Sequence, residues 1–132
     1  MNKPSLPSKL RFGNMQLRIM RLLWQQKLNA RQITDLLSQE APVAHSTVQT
    51  LLRQLEEKGA IAHEVDDRTF VFYPLVEEEN TVRKATRDFV ERLFSGNVSE
   101  LMSHLLKNEK ISSQELHQIR QLIEQKEKEK KS

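Results

Sequence analysis

Apolar residues along this chain recur with helical spacing over most of its length and with strand-like alternation in one place. Asn14 suits a helix cap, and Leu17, Ile19, Met20, Leu23 and Trp24 follow it, predicting a helix to about Gln26. Asn29 is placed to cap a shorter helix carrying Ile33, Leu36 and Leu37. After Pro42 comes "HSTVQTLLRQLEEKG", His45 to Gly59. In it Val48, Leu51, Leu52 and Leu55 stand at i, i+3, i+4 and i+7, one buried stripe, and Gly59 suits a left-handed stop. The texture then changes. Ile61, His63 and Val65 alternate with Ala62 and Glu64, "TFVFY" follows Asp66-Asp67, and Pro74 closes the segment, which predicts a β-hairpin.

Beyond Pro74 the helical period returns. Val82, Ala85, Phe89 and Leu93, widened by Val90 and Phe94, mark a long helix ended by Gly96. Asn97 and Glu100 have capping-box spacing ahead of Val98, Leu101, Met102 and Leu105. Ser112 and Glu115 form a second box, flanked by Ile111 and Leu116 as a hydrophobic staple, ahead of Leu116, Ile119, Leu122 and Ile123. The expected organisation is a flexible basic tail over 1–13, a compact domain over 14–76, a helical region over 77–126 and a charged disordered tail over 127–132.

Three helices and a two-stranded hairpin make a mainly α fold, a winged helix-turn-helix domain whose third helix reads the DNA major groove. The polar face of that helix fits the role. Ser46, Gln49, Thr50 and Arg53 lie on it, with Thr47 and Gln54 on its shoulders, and its acids, Glu56 and Glu57, wait near the C-terminal end. Acids normally favour the first turn of a helix, against the positive end of the dipole. Their absence there makes sense if the first turn meets phosphate; an ordinary solvent face would explain the polarity but not the absence.

Charge adds to this picture. The net charge is only +3, yet the first 34 residues hold seven basic residues (Lys3, Lys9, Arg11, Arg18, Arg21, Lys27, Arg31) and no acid. Residues 77–132 hold eleven of each sign. A basic front joined to a neutral rear suits a polyanion partner, with a solubilising tail as the plain alternative. Arg11, Arg18, Arg21 and Arg31 are candidates for phosphate neutralisation and Arg68 for a wing contact. The three rear helices are amphipathic and cannot bury all their stripes in one thin layer. They are expected to form a dimerisation arm through Phe89, Leu93, Leu101, Leu105, Leu116, Ile119 and Ile123, or else to fold back on the front domain.

Other chemistries find little support. With no cysteine there is neither a disulfide nor a thiolate metal site. His45, His63, His104 and His117 never pair at i, i+3 or i+4, so no metal is expected. Three glycines leave no phosphate loop, and Trp24 and Tyr73 read as core residues. No apolar run reaches the length of a membrane span and no basic-then-apolar leader opens the sequence, so the expectation is a cytoplasmic protein with no cofactor and no catalytic site.

"NMQLRIMRLLW" (14–24), "STVQTLLRQLEEKGAIAHEVDDRTFVFYPLV" (46–76) and "FVERLFSGNVSELMSHLL" (89–106) together resemble the penicillinase repressor family, the BlaI/MecI/CopY group. The resemblance implies a homodimeric winged-helix transcriptional repressor on a palindromic operator of double-stranded DNA. It implies DNA contact by Ser46, Thr47, Thr50 and Gln54, to which the helical wheel adds Arg53. In β-lactam members a membrane sensor-protease pathway cuts the arm at an Asn-Phe bond; the matching bond here is His104-Leu105. Other departures are Ser46 where a lysine or similar residue is usual, Asp66-Asp67 in place of Asp-Gly, and Gln16 and Arg18 in place of acids. The cysteine cluster of copper-responsive members is missing. The rival expectation is a winged helix that binds protein and not DNA.

Overall fold

A computed structural model describes residues 12–131. The order of elements is α1 (Asn14–Gln25), β1 (Leu28–Asn29), α2 (Ala30–Leu37), α3 (His45–Glu57), β2 (Ile61–Asp66), β3 (Thr69–Pro74), α4 (Glu78–Phe94), α5 (Val98–Asn108) and α6 (Ser113–Lys131). This is the expected mainly helical order with a small antiparallel sheet. The sheet order is β1-β3-β2. The hairpin pairs Ile61 with Pro74 through to Asp66 with Thr69. The short β1, which periodicity does not reveal, pairs Leu28 with Phe72 and Asn29 with Val71.

The predicted stops and starts are largely those the backbone uses. Asn29 caps α2: its side chain accepts from Gln32 N at 2.8 Å, and Gln32 Oε1 accepts from Asn29 N at 2.9 Å. Asn97 accepts from Glu100 N and Ser112 from Glu115 N, at 2.9 and 3.0 Å. Gly59 ends α3 at φ 79° and Gly96 follows α4 at φ 80°, where an L side chain is disfavoured. Asn14, expected as a cap, is instead the first helical residue; Gly13 precedes it and donates its N–H to Gln16 Oε1 at 3.0 Å. The hairpin turn sits at Asp67-Arg68, one residue beyond the expected place, because the Asp66–Thr69 pair closes it. Both turn residues have positive φ, 51° and 68°, the type I′ geometry that matches strand twist.

The chain divides into two compact units, with the boundary between Phe89 and Val90, inside α4. The first unit has a closed core. Ile19, Met20 and Leu23 from α1 meet Leu28, Ile33 and Leu37, then Val48, Leu52 and Leu55 from α3, then Ala60, Ile61 and Phe72. Burying each large aliphatic side chain of this set contributes roughly 1.5–3 kcal/mol. Trp24 packs against this core and donates its indole N–H to Val76 O at 2.9 Å. In the second unit neither α5 nor α6 has a buried residue. The tail expected to be disordered from 127 is helical to Lys131, where Lys128, Lys130 and Lys131 suit the negative end of the dipole.

Candidate nucleic-acid interface

α3 begins without a side-chain cap. Ala44 occupies the cap position and offers only its carbonyl, so the first-turn N–H groups have no side-chain acceptor. No acid lies in the first turn of α1, α2 or α3. The start of α3 is tied to α2 through the helix-helix turn. Thr34 Oγ1 donates to Ala30 O at 2.8 Å and lies 3.0 Å from His45 Nδ1. With its single proton committed to the carbonyl, the hydroxyl accepts from His45, which places the imidazole proton on Nδ1.

Around α3 three sides are distinct. Val48, Leu52 and Leu55 are buried, while Ser46, Gln49, Thr50 and Arg53 are exposed on the far face. Thr50 Oγ1 donates to Ser46 O at 3.1 Å, keeping its lone pairs outward. One shoulder, with Thr47 and Gln54, turns toward α1. Gln54 Oε1 accepts from Gln16 Nε2 at 3.0 Å, and Gln16 Oε1 also accepts from Lys58 Nζ at 2.7 Å. Gln54 is therefore a link between helices as well as a surface residue. Burial pushes the Lys58 pKa down; its ammonium lies 5.5 Å from the Phe12 ring.

The other shoulder faces the wing. Glu56 accepts from His63 Nδ1, with both carboxylate oxygens within 2.8–2.9 Å. The His63 ring stacks on Phe70 at 4.0 Å and 15°. Between this shoulder and β3 runs a cleft of about 750 Å³. It is lined from α2 by Arg31, from α3 by His45, Gln49, Leu52, Arg53 and Glu56, and from the wing by Arg68, Thr69, Phe70 and Phe72, with Asn29 and Ala30 at the start of α2. Three arginines, from α2, α3 and the hairpin turn, thus line one hollow beside the open face of α3. Such a surface can hydrogen-bond phosphate and base edges while drawing a polyanion to it.

The profile of the penicillinase repressor family matches residues 12–125. The chain belongs to that family. It is 25% identical to the penicillinase repressor of Bacillus licheniformis over 114 residues, covering 86% of this chain and 89% of that one. It is 26% identical to the methicillin resistance regulatory protein MecI of Mammaliicoccus sciuri over 109 residues, covering 82% and 89%. Among solved structures, the DNA-binding domain of the repressor BlaI superposes with a TM-score of 0.50 at 26% identity, over 57% of this chain and 93% of that domain.

In this penicillinase repressor family member the predicted arginines separate. Arg31, Arg53 and Arg68 share the cleft. Arg18 is bound to Glu40 at 2.7 Å. Arg21 is exposed beside Glu78 and Glu79 of α4, in a different depression. Arg11 lies outside the described residues. His45, Asn29 and Thr69 join the site without having been foreseen; only their place in the tertiary structure shows it. Gln49 was legible as a face residue, because it follows Ser46 by one helical turn. No group of three or more metal-ligating side chains occurs among the described residues, and none of their helices is long and apolar enough to cross a membrane.

The seven arm residues remain largely uncovered within one chain of this family member. Phe89, Leu93, Leu105, Leu116 and Ile123 are exposed, and Leu101 and Ile119 are half-buried. Val98, Leu106 and Leu122 are exposed as well. His104 and Leu105 are also exposed, but their peptide bond lies inside α5.

Proposed function

We propose that this protein is a sequence-specific DNA-binding transcriptional repressor that grips a palindromic operator as a homodimer. The observation that carries the reading is the acid-free, uncapped start of α3 and its open polar face, set beside a wing whose Arg68 lines the same cleft as Arg53. In this reading Ser46, Thr47, Thr50 and Arg53 contact DNA, Gln49 joins them, and Arg31 and Arg68 hold phosphates. The uncovered apolar surface of α4, α5 and α6 supports a second copy as its cover, since two-fold pairing would present two readers one helical turn or a multiple apart. The names of the relatives support repression as the consequence of binding.

The test is a gel shift with DNA from upstream of the protein's own gene at two salt concentrations. A retarded band that weakens steeply with salt is expected, with a slope set by the number of phosphates neutralised. No band at low salt would overturn the reading in favour of a winged helix that binds only protein. Release through a membrane sensor-protease pathway extends the same proposal. A protease must unwind α5 to reach the His104-Leu105 bond. Unchanged derepression in cells after replacing both residues removes that bond from the mechanism.

A further inference from the structure

We infer that the cleft between α3 and the wing is a binding site for a small organic anion with an apolar body, a carboxylate or sulfonate on an aromatic skeleton, and that its occupant competes with DNA. The competition clause rests on the proposed DNA contact of α3; the binding clause does not.

The lining is divided by chemistry. Arg31, Arg53 and Arg68 supply charge, and Leu52, Phe70, Phe72 and Ala30 supply an apolar floor. A volume of about 750 Å³ suits a small molecule. No acid lies within ion-pair distance of these guanidinium groups among the described residues. Glu56, the acid in the lining, has both oxygens engaged by His63. Three like charges in one hollow repel one another, and an anion relieves that repulsion while accepting forked N–H pairs.

DNA phosphate accounts for the arginines but leaves the floor unused. Along one face of the hairpin, Ile61, His63 and Val65 stand opposite Pro74, Phe72 and Phe70. Ile61 and Phe72 are covered by the core, whereas Phe70 is 50% exposed and Val65 64%. The apolar strip thus runs out beyond the cover that α3 provides, at the end where Arg68 stands. Arg68 holds φ 68° in a turn where glycine is easier, so the backbone carries strain while its side chain lines the cleft. A molecule with both a charge and a flat apolar body uses every part of this lining. Because Gln49 and Arg53 belong to the cleft and to the open face of α3 alike, an occupant withdraws them from DNA.

The experiment titrates the full, DNA-free chain with 2-naphthoate, and separately with inorganic phosphate and neutral 2-naphthamide, following backbone amide resonances. Saturable naphthoate binding is expected, with shifts confined to α2, α3 and the hairpin and with affinity about tenfold above either control. Phe70→Ser should weaken naphthoate about tenfold and leave phosphate binding unchanged. Arg31→Gln should weaken naphthoate and leave naphthamide unchanged, a check independent of the wing fold. Equal affinity for phosphate and naphthoate, or shifts centred on α5 and α6, overturns the site. A gel shift of the operator with added naphthoate then tests competition. Half-saturation should move to higher protein concentration in inverse proportion to the fraction left unoccupied; naphthoate that binds without moving it overturns the competition clause alone. A protein that binds naphthoate in the cleft but no DNA sinks the proposed function and leaves the site standing.

Discussion

The two compact units of this chain are built on opposite plans. The first closes its core internally: side chains from three helices and the sheet leave Ile19, Ile33, Val48 and Leu55 with no exposure. Its open surface is mostly polar, with Val65, Phe70 and Leu75 of the wing and its exit as apolar exceptions. The second leaves apolar surface open, with Leu93 64% and Leu122 65% exposed and nothing buried along α5 or α6. Helix ends divide earlier, at the start of α4, which still lies in the first unit. No acid stands in the first turn of α1, α2 or α3, whereas α4 has Glu78 and Glu79, α5 has Glu100 and α6 has Glu115. The rear helices use the ordinary dipole pairing; the front ones forgo it. The first unit thus encloses a core of its own and presents Arg31, Arg53 and Arg68 along a surface cleft. The second leaves apolar area on α5 and α6 exposed.

That contrast can be broken most forcefully in the first core. Leu55→Ala should cost about 2–5 kcal/mol, read from denaturant unfolding, because the side chain is fully enclosed. A loss within experimental error would mean that the core is not closed. The counterpart is Ile123→Glu, which places a charge on the exposed stripe of α6. It should raise the dimer dissociation constant about a hundredfold by sedimentation while leaving the unfolding of the front unit unchanged. A wild-type mass of one chain at micromolar concentration would refute the dimer altogether.

Arg53→Ala should weaken operator binding by about 1–3 kcal/mol. If the loss is alike for all sequences and the salt slope flattens, Arg53 holds a phosphate; if one base position relaxes, it reads that base. Arg68→Gly should stabilise the front unit by about 1 kcal/mol in thermal unfolding, since glycine accepts the positive φ. The same change should weaken DNA, exchanging stability for contact. The smallest effect concerns Lys58, whose pKa burial lowers. Between that lowered value and the ordinary one the unfolded chain holds more proton than the folded chain, so this residue makes stability rise with pH in the alkaline range. Lys58→Met should remove the rise, visible as a flatter plot of denaturation midpoint against pH.

Much of the fold was legible because its cues are local. Asn29, Asn97 and Ser112 act on residues three positions away, and Gly59 answers a backbone angle at its own position. Helical stripes such as Val48, Leu51, Leu52 and Leu55 need only the helical period to be seen. Where the cue is not local the reading slipped. The pair Leu28–Asn29 is too short for a period, and becomes a strand only because Phe72 and Val71 lie alongside. The turn moved to Asp67-Arg68 because strand register, set by pairing along the whole hairpin, outweighed the preference for acids at the tip.

By itself the sequence determined the helices α1 to α6 and the hairpin, which face of α3 stays polar and which stripes of α4, α5 and α6 are apolar. All of these follow from spacing along one element and from the chemistry of near neighbours. Only the tertiary structure decided which cations meet. Arg31, Arg53 and Arg68 belong to three elements far apart in the chain, and packing brings them to one cleft, while Arg18 turns to Glu40 and Gln54 to Gln16. The position of a side chain in space is the sum of every backbone angle and packing contact between it and its neighbours, and no short pattern of residues carries that sum.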